Sequence, residues 1–112
     1  MANIVNQYGI DAAGNAARTN IPGTNYTVPA SRRLLVTDLE MQHTGTGNAR
    51  MFLEDTTAVA DLHSMFIAAA GTLHRQFRTP IEVAAAHVLN CDYIQTAVIG
   101  SISLRMGGKL ET

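Results

Sequence analysis

Arg33-Leu34-Leu35-Val36-Thr37-Asp38-Leu39-Glu40-Met41-Gln42 is the stretch on which the fold turns. Leu35, Thr37, Leu39 and Met41 recur at every second position, with Asp38 and Glu40 on the other side, and an extended chain sends successive side chains to opposite faces of a sheet. The segment reads as a half-buried strand. His43-Thr44-Gly45-Thr46-Gly47-Asn48 then has the glycine and asparagine content of a turn, and Ala49-Arg50-Met51-Phe52-Leu53-Glu54 resumes the alternation, which makes the two segments a hairpin candidate. Farther on, Ile94, Thr96, Val98, Gly100, Ile102, Leu104 and Met106 alternate with more polar neighbours. That predicts one long strand, central in its sheet, with a bulge or bend at Gly100.

The middle of the chain is two-sided. Val59, Leu62, Phe66 and Ile67 suit an amphipathic helix as well as a strand, and Ala68-Ala69-Ala70-Gly71 adds helix propensity and a stop. Thr79-Pro80-Ile81-Glu82 has the form of a capping box, with Ala84-Ala85-Ala86 behind it. Residues 56–70 and 79–89 therefore stay open between strand and helix. Against helices, Gly71 to Phe77 alternates again, and short elements at regular spacing with turn residues between them are typical of a β-sandwich. The fold class expected is all-β, a jelly-roll-like sandwich of about eight strands over residues 31–112.

Residues 1–30 differ in texture: they hold five of the seven asparagines and only two charges, Asp11 and Arg18. They read as an extended N-terminal arm. Ile4, Val5, Tyr8, Ile10, Ile21 and Tyr26 are too sparse for a core stripe but enough to anchor an arm that orders on a partner, the alternative being a terminus without a role.

A chain of 112 residues holds one domain's core. Charged residues are 15% and apolar residues 46%, with a net charge of -1 and Lys109 the one lysine, so no basic stripe exists to follow phosphates and nucleic acid is excluded as a partner. So low a charge points to surface buried in an assembly. Cys91 is the single cysteine, which leaves packing or oligomerisation to supply stability. The start, Met1 to Gln7, has neither a basic opening nor a signal-like apolar run, and no stretch approaches the ~18 apolar residues of a membrane span. The expectation is a soluble protein made inside a cell, without a membrane partner.

Few residues suggest chemistry. His43, His63, His74 and His87 are widely spaced; His63 and His74, on neighbouring strands, come nearest to the clustered ligands of a cupin-like metal site, against histidines that satisfy local hydrogen bonds. Cys91 with His87 four residues earlier could form a nucleophile pair, but Asp92 beside it disfavours a thiolate, and a buried structural cysteine is the simpler reading. Gly45-Thr46-Gly47 lacks the third glycine of a dinucleotide loop. Asp38, Glu40, Glu54, Asp55 and Asp61 would crowd one edge if the first two strands paired, suiting a cation or a glycosidase pair. Arg32, Arg33 and Arg50 at the same ends favour a salt-bridge network instead. Three Phe, three Tyr and no Trp do not make a stacking platform for sugars or bases. No catalytic residue, metal site or cofactor is expected.

The order of segments carries a further reading. A polar Asn/Gly/Thr-rich opening leads to Arg33 to Leu39, then Ala49 to Asp55, Ala70-Gly71-Thr72, Phe77-Arg78-Thr79-Pro80-Ile81 and the strand Val98-Ile99-Gly100-Ser101-Ile102. Over roughly residues 33 to 106 this resembles the small β-sandwich proteins on the virions of tailed bacteriophages, especially capsid decoration (cement) proteins. The family pattern commonly has Gly-Tyr on the last strand, where here Ser101 follows Gly100. The resemblance implies that Phe77 to Ile81 runs into a strand. It also implies a non-enzymatic homotrimer that binds the major capsid protein at three-fold positions on the head surface, after assembly in the host cytoplasm. Residues 1–30 would then be the grip, and deleting residues 2–20 would abolish particle binding while leaving the fold intact. Two other readings stand beside it: a tail-tip or fibre module binding a host-surface ligand, and a small cupin-like metal-binding protein.

Overall fold

The computed structural model describes residues 4–12, 17–45, 47–68, 70–95 and 101–112. These form nine strands and no helix: β1 (Ile4–Ala12), β2 (Thr19–Asn20), β3 (Tyr26–Thr27), β4 (Arg33–His43), β5 (Ala49–Asp55), β6 (Ala60–Ile67), β7 (Gly71–Val83), β8 (Val88–Gln95) and β9 (Ser101–Glu111). The first sheet has the order β1-β9-β4-β7; the second runs β2-β8-β5-β6, with β3 also on β8. All pairings are antiparallel. They nest: first strand with last, β2 and β3 with β8, β4 with β7, β5 with β6. This is the winding of a jelly roll, and the all-β, jelly-roll-like fold class read from the sequence is the one the chain adopts.

The core lies between the sheets. Leu34, Val36, Leu39 and Met41 of β4, Met51 and Leu53 of β5, Leu89, Cys91 and Tyr93 of β8, and Ile102, Leu104 and Met106 of β9 are all closed to solvent. Burial contributes about 1.5–3 kcal/mol for each large apolar side chain, so these four strands carry most of the stability. β6 and β7 contribute only Met65 and Val83 to the fully buried set.

Several sequence expectations change. The described residues of 1–30 are not a separate arm: β1 pairs with β9 along its whole length, β2 and β3 add to β8, and Val5, Ile21 and Val28 belong to the core. Deleting residues 2–20 would strip the fold of β1 and β2 rather than leave it intact. Gly9 explains how close the fit is, since a Cβ there would collide with the Pro22 carbonyl oxygen and stand 2.5 Å from Thr24 Cγ2. Gly23, at φ +89°, makes the turn that presents that carbonyl.

The hairpin expected between residues 34–42 and 49–54 does not form. β4 pairs with β7 and β9, while β5 pairs with β6 and β8 in the other sheet, so His43 to Asn48 joins two sheets. The long strand expected over 94–106 is likewise two: Ile94 and Gln95 end β8 and Ser101 begins β9, in different sheets. Gly100 lies outside the described residues. Neither helix-like segment is helical where described: residues 56–59 turn into β6, and residues 84–87, with Ala84-Ala85-Ala86, form the turn between β7 and β8.

The inward face of β4 also differs. Leu34 and Val36 point in, then Leu39, Met41 and His43, while Leu35 and Thr37 do not join them. A bulge resets the phase: Val36 faces Gly108 and Asp38 faces Gly107, leaving Thr37 as the extra residue. On the other side Val36 faces Ile81 and Asp38 faces Gln76, so Phe77 to Pro80 leave the ladder there. Pro80 has no N–H to donate, and an interrupted edge strand is where a strand accommodates it.

Candidate functional site

The residues that suggested chemistry are held apart by the topology. His63 and His74 sit on β6 and β7, strands of different sheets. The His63 ring packs edge-on against Phe77, with centroids 4.9 Å apart, and its Nε2 is buried with no hydrogen-bond partner. Burial, seconded by the charge of Arg75, moves its pKa below the ordinary histidine value. His74 lies 3.6 Å from Asp38. His43 is buried against Gln95 and the Gly47 carbonyl. His87 Nδ1 meets Asp55 Oδ2 at 2.7 Å, while Asp55 Oδ1 accepts the backbone N–H groups of Thr57 and Ala58. Burial raises the Asp55 pKa, but the hydrogen bonds from His87 and the turn outweigh it and hold the carboxyl below its usual range. That arrangement fastens the β5–β6 turn to the start of β8. Cys91 is closed to solvent and burial pushes its thiol pKa far up, which is the behaviour of a packing residue. Among the described residues no group of three His, Cys, Asp or Glu side chains is placed to hold a metal ion.

The five carboxylates expected along one edge are divided. Asp38 and Glu40 lie in the first sheet; Glu54, Asp55 and Asp61 lie in the second. The salt-bridge network the arginines suggested does exist, but around Arg18, a residue the sequence offered no reason to choose. Its guanidinium bonds Asp61 at 2.6 Å and Asp92 at 3.0 Å, lies 3.6 Å from Glu54, and covers the Phe52 ring at 4.2 Å. Glu54 and Asp61 are direct cross-strand partners, a like-charge pairing that costs stability unless a cation bridges it. The Arg18 hydrogen bond lowers the Asp61 pKa. Glu54 goes the other way, raised by burial and by Asp92 beside it, because one guanidinium cannot balance three carboxylates. Arg33 instead joins Glu82 and Glu111 in exposed pairs worth little.

The surface that stands out is on β1. Its alternation is inverted: Ile4, Tyr8 and Ile10 face solvent at 77%, 54% and 51% exposure, while Val5, Gln7, Gly9 and Asp11 face the sandwich. Asp11 accepts a 2.7 Å hydrogen bond from the buried Tyr93 hydroxyl, fixing which side of β1 turns inward. Of the six residues expected to bind a partner, the structure brings Ile4, Tyr8 and Ile10 together as one outward row. Val5 and Ile21 are buried and Tyr26 is half-buried against the core, so those three are packing residues. The row ends an otherwise polar face, since Ile4, Tyr8 and Ile10 neighbour Lys109, Arg105 and Ser103 of β9.

No protein-family model and no curated protein matches the sequence. The fold, by contrast, is shared with many solved structures. A chain from the acid-stable capsid of the Helicobacter pylori bacteriophage KHP30 superposes with a TM-score of 0.59 at 11% identity, over 95% of this chain and 86% of that one. A chain from Bacillus endospore appendages, disulfide-linked pili, gives 0.57 at 14% identity over 100% and 90%. One from the capsid of the cyanophage Pam1 gives 0.53 at 10% over 96% and 85%. Identity this low speaks for a common fold.

Proposed function

We propose that this chain is a structural, non-catalytic component of a phage particle, a decoration protein that binds the major capsid protein on the outer surface of the head as a homotrimer and stabilises it. The observation that carries the reading is the outward row of Ile4, Tyr8 and Ile10 on an edge strand of a jelly roll. Apolar side chains grouped on an edge strand are a liability in a lone protein and an asset in a docked one. Two neighbours of the same fold are capsid chains, which supports the reading, as does the segment order described above. The pilus neighbour also fits an assembly role, but it belongs to a disulfide-linked family, and the one cysteine in this sequence, Cys91, is buried.

The test is co-sedimentation of the purified chain with phage heads assembled without it. Wild-type chain should pellet with the heads, and a variant carrying Ile4→Ser, Tyr8→Ser and Ile10→Ser should stay in the supernatant with its circular dichroism unchanged. A folded triple variant that pellets like wild type would overturn the docking role of β1.

A further inference from the structure

The outer face of the second sheet is polarised along its strands. The register places Ile94, Arg50 and Phe66 side by side across β8, β5 and β6. Two residues along lie Asp92, Phe52 and Ser64; two further on, Asn90, Glu54 and Asp61. At one end Arg50 is exposed and its guanidinium stands over the Phe66 ring at 5.7 Å, with Phe66 itself 49% exposed. Arg50, Phe52, Phe66 and Ile94 line a shallow, mostly apolar groove there. At the other end Glu54, Asp61 and Asp92 share the single cation Arg18. At about 3.3 Å per residue, the two ends are roughly 13 Å apart along β5.

A face with cation and rings at one end and excess negative charge at the other is complementary to itself. Turned end for end about a two-fold axis, a second copy sets its Arg50 against the acidic end of the first and receives the first copy's Arg50 at its own. We propose that the outer face of the second sheet is a two-fold contact between copies of this chain, in which Arg50 of each copy meets the Glu54, Asp61 and Asp92 cluster of the other; it pairs two chains and is separate from the three-fold contact of a homotrimer. The contact uses no residue of β1, so it stands whether or not β1 docks on a phage head. It supplies what the cluster lacks within one chain, a second cation, and it covers Phe66 and Ile94.

Light scattering on a sizing column, over a range of concentrations and at about 50 mM and 500 mM salt, tests it. Wild type should run as an oligomer that loosens in high salt, since screening at 0.5 M falls to a few ångströms. Arg50→Glu should raise the dissociation constant at least tenfold with the melting temperature unchanged, and Phe66→Ser should do the same. Combining Arg50→Glu with Glu54→Arg should recover part of the affinity lost in Arg50→Glu alone, because the cluster, now without net charge, no longer repels the new carboxylate and sets an arginine opposite it. A wild type that is monomeric throughout overturns the proposal. So does an oligomer indifferent to both Arg50→Glu and Phe66→Ser, which decide the matter on their own if the double variant does not fold.

Discussion

Replacing Arg18 with alanine should destabilise the fold by about 2–4 kcal/mol, from one residue outside every regular strand. The hydrogen bond to Asp92, whose side chain is only 12% exposed, contributes about 1–2 kcal/mol, reduced from that of a buried charged pair because a third of the Arg18 side chain meets solvent. The Asp61 pair is half exposed and adds at most about 1 kcal/mol, and the stacking on Phe52 adds about 0.5–1. Removal also leaves Glu54, Asp61 and Asp92 facing one another. Urea denaturation at pH 7 measures the loss directly, and a domain this size should lose roughly 10 °C or more in melting temperature. The pH dependence carries the sign. Asp61 has its pKa lowered by Arg18 in the folded state, so the stabilisation is present above the unfolded carboxylate pKa near ~4 and disappears as pH falls through the folded value. The gap between wild type and Arg18→Ala should therefore narrow steadily below about pH 4. A loss under about 0.5 kcal/mol at pH 7, or a gap that is the same at pH 7 and pH 3, would refute the reasoning.

Four further outcomes are open to measurement. Gly9→Ala should cost at least about 2 kcal/mol and expose β1 to limited proteolysis, because its Cβ has no room beside Pro22 and Thr24. Val59 sits in the left-handed region at φ 54° and is 80% exposed, so Val59→Asn should raise stability by about 0.5–1 kcal/mol in thermal unfolding. Asp55→Ala removes the acceptor for His87 and for two backbone N–H groups and should cost about 2–4 kcal/mol at neutral pH. Since the Asp55 pKa is lowered in the fold, that deficit too should shrink in acid. Cys91 should resist thiol reagents in native buffer and react only as the protein unfolds; prompt labelling of folded protein would contradict its burial.

The period-2 alternation was enough for the fold class and for most buried positions of β5 and β9, because strand side chains alternate whatever their partners. Partnering was not legible. β4 and β5 are separated by a short glycine-rich link that is as compatible with a change of sheet as with a hairpin, and only the nested pairing of distant strands decides between them. The bulge at Thr37 defeated a simple count along β4, since one unpaired residue exchanges the two faces. The apolar residues of 1–30 looked too sparse for a core because Val5, Ile21 and Val28 each fill a place left by other strands rather than forming a stripe of their own. Arg18 carries no local signal either, since its carboxylate partners lie 43 and 74 residues away.

That β1 is a strand of the sandwich changes the energetics of the proposed docking. An arm that ordered only on the particle would forfeit about 1–2 kcal/mol for each of its nine residues, roughly 9–18 kcal/mol in total. Burying what Ile4, Tyr8 and Ile10 still expose would return only about 1–2 kcal/mol apiece, too little to offset that loss. With β1 already paired to β9, the ordering cost has been met during folding and the same three side chains can contribute net affinity. Binding should accordingly show a small negative heat-capacity change, set by the surface buried at the contact. A large negative heat-capacity change, of the kind that accompanies folding of a segment on binding, would mean that β1 is not paired with β9 in the free protein and orders only as it docks.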